Sequence, residues 1–142
     1  MNPKKIEIFI DGASIGNPGP AGIGVIVCDN GRVIRNISKF IGETSNNVAE
    51  YTALIYALQE ALILRSTNVV INTDSQLLAN QIVGTYKVKN SHLKPLHEQV
   101  KHLLSGFKNF QIKYIPRTEN KCADKLASQA IKDSKKQLLF GI

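Results

Sequence analysis

Ile6, Ile8 and Ile10 alternate with Glu7, Phe9 and Asp11, the period of two that marks a strand, and the run stops at Asp11-Gly12. A Gly/Pro-rich loop covers residues 13–20. Residues 21–28 read as a second strand, Asp29-Asn30-Gly31 signals a turn, and residues 32–41 read as a third strand. The first three strands therefore predict an antiparallel meander. At Thr44-Ser45-Asn46-Asn47 the residue types change to those that cap helices. Ala53, Leu54, Ala57, Leu58, Ala61 and Leu62 then recur at three- and four-residue spacing, which predicts a long amphipathic helix. Val69-Val70-Ile71 is a short buried-type strand, and Ser75 caps a helix that stops at Gly84. Leu93, Leu96, Val100, Leu103 and Leu104 predict a third helix, and residues 110–115 alternate as a fifth strand ended by Pro116. The last helix is predicted over 119–132, with Ala123, Leu126, Ala127, Ala130 and Ile131 as its apolar stripe.

Strands separated by helices pair in parallel through right-handed crossovers. The expected fold class is α/β, a mixed five-stranded sheet with three antiparallel strands followed by two parallel ones and with flanking helices. Residues 1–132 form one domain in this reading, and residues 133–142 form a C-terminal tail.

Composition narrows the class. The chain has 142 residues, 43% hydrophobic and 20% charged, which is ordinary for a globular domain. No apolar run approaches the roughly 20 residues of a membrane span, and no signal peptide is legible, so no membrane partner is expected. Cys28 and Cys122 are too few for a disulfide framework and lack zinc-ligand spacing, which fits a reducing cytoplasm. The net charge is +7, and from Gly84 onward twelve basic residues face four acidic ones. Such a surface suits a polyanion, nucleic acid being the commonest, although the same charge also serves solubility.

Against this basic background, four acids stand where surface acids do not belong. Asp11 ends the first strand and Asp74 ends the fourth. Glu50 stands four, eight and twelve residues before Leu54, Leu58 and Leu62, at the head of the stripe that faces the sheet. Asp124 lies seven residues before Ile131, near the apolar face of the last helix. Each has a plain reading alone. Asp11-Gly12 is a turn, Asp74-Ser75 a helix cap, Glu50 a buried acid satisfied by a base, and Asp124 a favourable charge at a helix start. Together they reverse those readings. If the fourth strand lies parallel beside the first, all four carboxylates converge at one sheet edge, where open α/β sheets bind ligands. Unpaired, they repel, and divalent cations resolve the repulsion. Oxygen donors without His or Cys favour Mg²⁺ or Mn²⁺. Two such ions about 4 Å apart can activate a water and stabilise a leaving oxygen in phosphodiester cleavage.

The chain resembles the type 1 ribonuclease H family, without the basic protrusion that some members carry. The matching segments are Asp11-Gly12-Ala13-Ser14 with Gly16-Asn17-Pro18-Gly19-Pro20, and Thr44-Ser45-Asn46-Asn47-Val48-Ala49-Glu50-Tyr51. Thr73-Asp74-Ser75-Gln76 follows, and then Pro116-Arg117 with Asn120 and Ala123-Asp124 before Leu126-Ala127. The resemblance implies a hydrolase, an endonuclease that cuts the RNA strand of RNA–DNA hybrids and leaves 3′-hydroxyl and 5′-phosphate ends. It implies Asp11, Glu50, Asp74 and Asp124 as catalytic and metal-binding residues, with two Mg²⁺ ions per site when substrate is bound and Mn²⁺ as a substitute. By that analogy Asp11 bridges both ions and Asp124 helps hold the ion that activates the water. Glu50 and Asp74 hold the ion facing the leaving oxygen. Substrate contacts are expected from Gly12, Ser14, Asn17, Asn46, Asn47, Gln76, Arg117 and Asn120. The neutral amides among them can meet base edges and 2′-hydroxyls in a shallow minor groove. Helix capping by Asn46 or Asn47, and a turn role for Asn17, are the alternatives.

Two departures from the family stand out. Many members carry a His in the loop before the last acid, and residues 115–124 contain none. Arg117 takes the vacant place here through phosphate contact, while His92, His97 and His102 read as polar-face residues. The segment after Gly84 leads directly into the next helix, so substrate grip is expected to be either weaker or supplied by Lys87, Lys89 and Lys94. A catalytically silent binder of hybrids or double-stranded RNA, and a nuclease that also cuts double-stranded RNA, are the competing functions. The expected protein is a monomer. Lys135-Lys136-Gln137-Leu138-Leu139-Phe140 is similar to short C-terminal motifs that dock on DNA sliding clamps; an apolar tail folded onto the body is the plainer reading, preferred here.

Overall fold

The elements run β1 (Lys5–Ser14), β2 (Gly19–Asp29), β3 (Arg32–Thr44), α1 (Asn46–Ile63), β4 (Asn68–Thr73), α2 (Gln76–Val83), α3 (Lys94–Leu104) and β5 (Asn109–Tyr114). A 3-10 turn at Arg117–Glu119 precedes α4 (Lys121–Phe140). The computed structural model describes residues 5–140, with side chains through Gln137. The sheet order is β3-β2-β1-β4-β5. The β1–β2 and β2–β3 pairs are antiparallel, and the β1–β4 and β4–β5 pairs are parallel, as the sequence predicts.

Ile6, Ile8 and Ile10 of β1 join Ile23, Val25 and Val27 of β2, and Val69 and Ile71 of β4, beneath α1 and Val100 of α3. The opposite face carries Phe9, Ile26 and Cys28 against Ala123 and Leu126 of α4. With helices on both faces, β2 is buried along almost its whole length, so its apolar run does not alternate. The approach of α4 is very close. A Cβ on Gly24 would stand 2.1 Å from the Ala123 carbonyl oxygen and 2.9 Å from the Ala127 nitrogen, so the helix rests on bare backbone. Gly24→Ala is expected to destabilise the fold by about 3 kcal/mol, read as a lower urea midpoint at unchanged slope.

Several boundaries differ from the sequence reading, among them the end of β3, which runs to Thr44 rather than stopping at Ile41. β1 does not stop at Asp11; it stays paired with β2 through Ser14, which faces Ala21. The strand can continue because Gly12 has no side chain: a Cβ there would lie 2.3 Å from the carbonyl carbon of Ala49 in α1. The last helix begins at Lys121, after the 3-10 turn, and runs on to Phe140 beyond the predicted end near Lys132. The leucines and phenylalanine of the clamp-like motif lie outside the described side chains. Among the described residues, no helix is long and apolar enough to cross a membrane.

Candidate active site

Parallel pairing sets the first two acids side by side. Ile10 of β1 is in register with Thr73 of β4, and β4 ends there. Asp74 thus leaves the sheet next to Asp11, which continues along β1 opposite Gly24. Thr73 Oγ1 accepts from the Ser75 N–H at 3.1 Å, and Ser75 Oγ caps α2 by accepting from Leu78 N–H at 3.1 Å. These bonds fix the chain as it turns away from Asp74. On the other side, Ser45 caps α1 by accepting from Val48 N–H. Glu50 sits in the first turns of that helix, and its Oε1 accepts from the Gly12 N–H. The missing side chain at Gly12 is what lets the α1 backbone come close enough for this bond.

One carboxylate oxygen each from Asp11, Glu50 and Asp74 lies within 4.8 Å of the others. Asp11 is 4% exposed and Glu50 7% exposed. Burial, followed by the charges of Glu50 and Asp74 and contact with Asp124 and Glu50, pushes the Asp11 carboxyl from 3.8 up to about 10. Burial also raises Glu50 from 4.5 to about 7, helped by the Asp74 charge and opposed by the Gly12 N–H, Asp11 and Arg117. Asp11 Oδ2 is buried and has no hydrogen-bond partner.

Asp124 flanks the group from the first turn of α4. It touches Asp11 and stands 4.0 Å from Arg117 Nη2, but lies outside the tight set of three. Arg117 is 79% exposed at this position. Asn120 behaves differently from an outward-facing substrate contact. It is 2% exposed, and its Nδ2 donates to the Ile10 carbonyl at 2.8 Å and to Asp74 Oδ2 at 3.2 Å. Its amide therefore ties β1 to Asp74 from below.

The remaining amides divide in the same way. Asn46 Oδ1 accepts from the Ser14 N–H at 2.8 Å and the Ser14 hydroxyl at 3.0 Å, and Asn17 Oδ1 accepts from the Asn46 N–H at 3.0 Å. These three residues clamp the Gly/Pro loop to the head of α1, yet Asn17 and Asn46 remain exposed. Asn47 and Gln76 are exposed beside the acids, on α1 and α2. Sequence reasoning missed one buried polar set next to the site. His97 is half-buried, not a plain polar-face residue, with its Nε2 3.2 Å from the Gln81 carbonyl oxygen. Burial lifts the Tyr51 phenol to about 12, so it remains a donor, and it donates to Gln81 Oε1 at 2.5 Å. The signal was present: Gln81 lies three residues after Leu78, on the buried side of α2.

Three buried or half-buried carboxylates with one orphaned oxygen suit hard divalent cations. Comparison with known proteins agrees. Residues 9–130 match the family model described as reverse transcriptase-like. The bifunctional protein Rv2228c of Mycobacterium tuberculosis is 40% identical over 129 residues, covering 89% of this chain; the chain spans about a third (35%) of that protein's length. The structure of RNase H1 from Halobacterium salinarum superposes with a TM-score of 0.88 at 35% identity, covering 91% of this chain and 98% of that one. LC11-RNase H1, solved in complex with an RNA/DNA hybrid, gives a TM-score of 0.87 at 40% identity, covering 91% of this chain and 98% of that one. Fold and matches across nearly the whole length agree, and the chain belongs to the type 1 ribonuclease H family.

Proposed function

We infer that this protein is an endoribonuclease that cuts the RNA strand of RNA–DNA hybrids by hydrolysis, leaving 3′-hydroxyl and 5′-phosphate ends. The observation that carries this reading is the convergence of Asp11, Glu50 and Asp74, with an Asp11 oxygen buried and unpartnered. A binding module gains nothing from buried acids aimed at phosphates, whereas a metal-dependent hydrolase requires them. The hybrid bound to LC11-RNase H1, which is 40% identical, supports the choice of substrate.

Asp11, Glu50 and Asp74 would hold the divalent cations, Mg²⁺ foremost and Mn²⁺ in its place, with Asp124 completing the set. When bound, these ions activate a water and neutralise charge on the leaving oxygen. The chain's own groups do the rest. The Gly12 N–H orients Glu50, and Asn120 orients Asp74. Asn17, Asn47 and Gln76 present exposed amides that can read 2′-hydroxyls and base edges across the minor groove. Arg117 meets a backbone phosphate. Two free thiols, Cys28 and Cys122, accord with a reducing cytoplasm.

An end-labelled RNA–DNA hybrid incubated with Mg²⁺ tests this reading beside RNA and DNA duplexes. The RNA of the hybrid is expected to shorten, with cutting abolished by chelator and DNA left intact. Intact RNA with the wild-type protein would overturn the assignment. Equal cutting of the RNA duplex would replace it with the broader nuclease.

A further inference from the structure

Glu50 and Asp74 sit on different elements, α1 and the turn into α2, and their separation decides what they can hold. Direct packing between α1 and α2 is sparse. What joins the two helices instead is polar and buried. Tyr51, the residue after Glu50, is 1% exposed and donates its hydroxyl to Gln81 Oε1 at 2.5 Å. Gln81 lies seven residues after Asp74, in the second turn of α2, and is 5% exposed. Its Nε2 reaches the Lys87 carbonyl at 3.4 Å, and its own carbonyl oxygen meets His97 Nε2 of α3 at 3.2 Å. A carbonyl only accepts, so His97 is protonated at Nε2. The His97 ring closes the set by standing edge-on to Tyr51, with centroids 6.5 Å apart.

These polar groups sit at the border of a core made of Leu54, Leu58, Leu78 and Val100. Apolar side chains of similar volume would pack there without needing partners. A buried hydrogen-bonded set adds direction, since it holds only when each helix is turned to one angle. Tyr51 and Glu50 are successive residues on a helix, so the angle that seats Tyr51 also aims Glu50.

We propose that Tyr51, Gln81 and His97 are positioning residues, a brace that fixes Glu50 relative to Asp74 and so sets the affinity of the acidic site for divalent cations. The proposal rests on the divalent-site reading above, and it requires no particular nucleic-acid substrate.

The test is Mn²⁺ binding to the full chain by calorimetry, run beside thermal melting and hybrid cleavage. Three variants are compared with wild type: Tyr51→Phe, Gln81→Leu and the double substitution. Each single change strands a buried polar group and lowers the melting temperature; the double change removes both partners and recovers most of it. If the brace positions Glu50, Mn²⁺ affinity falls about threefold to tenfold in the singles and stays weak in the double, despite its restored stability. Cleavage of hybrid then needs correspondingly more cation, while the KM for hybrid holds. Mn²⁺ affinity that is unchanged in folded single variants, or that recovers along with melting temperature in the double, would overturn the proposal and leave a merely structural network. Wild type that binds Mn²⁺ but cuts no hybrid would overturn the hybrid-nuclease reading alone, because the brace is judged on binding.

Discussion

Asp11→Asn is expected to lower hybrid cleavage about a thousandfold while raising the melting temperature of the cation-free protein. The two effects have one origin. Asp11 is buried and crowded by Glu50, Asp74 and Asp124, so its ionised form is costly in the absence of a cation. Asparagine keeps the shape and is neutral without taking up a proton, so the cost of neutralising this buried acid on folding disappears. The same change removes the oxygen donor at the centre of the cluster, the one whose Oδ2 has no protein partner. Single-turnover cutting of labelled hybrid reads the first effect, and melting in chelator reads the second. Undiminished cutting would remove Asp11 from the chemistry. A lower melting temperature would mean that folding does not have to neutralise this carboxyl.

The second large effect is a reversal of pH dependence by divalent cations. In the folded chain Asp11 is raised from 3.8 to about 10 and Glu50 from 4.5 to about 7. The native state therefore binds protons that the unfolded chain releases. Their contribution to stability is whole below about pH 4, and it is lost as pH rises through about 7 for Glu50 and towards 10 for Asp11. In chelator the melting temperature should fall by roughly 10 °C between about pH 5 and about pH 8. Cations compete with those protons, so the gain in melting temperature from Mg²⁺ should be negligible near pH 5 and grow as pH rises. Glu50→Gln should flatten the chelator curve, which separates this cluster from the other titrating groups. A melting temperature in chelator that does not fall across this range, or a Mg²⁺ gain that does not depend on pH, would show that the acids are not held protonated.

Much of this was legible in the order of residues. Ser45 and Ser75 start helices because a hydroxyl there can take an orphaned N–H, and Gly84 ends one in the left-handed conformation. Asp11 and Asp74 could be brought together on paper because parallel strands joined by a helix must run in step. The features that escaped depend on contacts across the fold. That β1 runs on past Asp11 depends on how closely α1 approaches Gly12, which no local pattern records. Asn120 reads as an outward amide until its partners, Ile10 and Asp74, are seen. His97 lies in a helix whose charges suggest a solvated face, and only the packing of α1 and α2 draws it inward.

The Asn120 tie reaches back 110 residues to the Ile10 carbonyl, joining the first strand to the threshold of the last helix. Such a closure forms only when nearly all of the chain is in place. A molecule arrested partway through folding, or clipped ahead of Asn120, lacks this support for Asp74. Under the proposed hydrolysis, turnover would double as a report on completed folding.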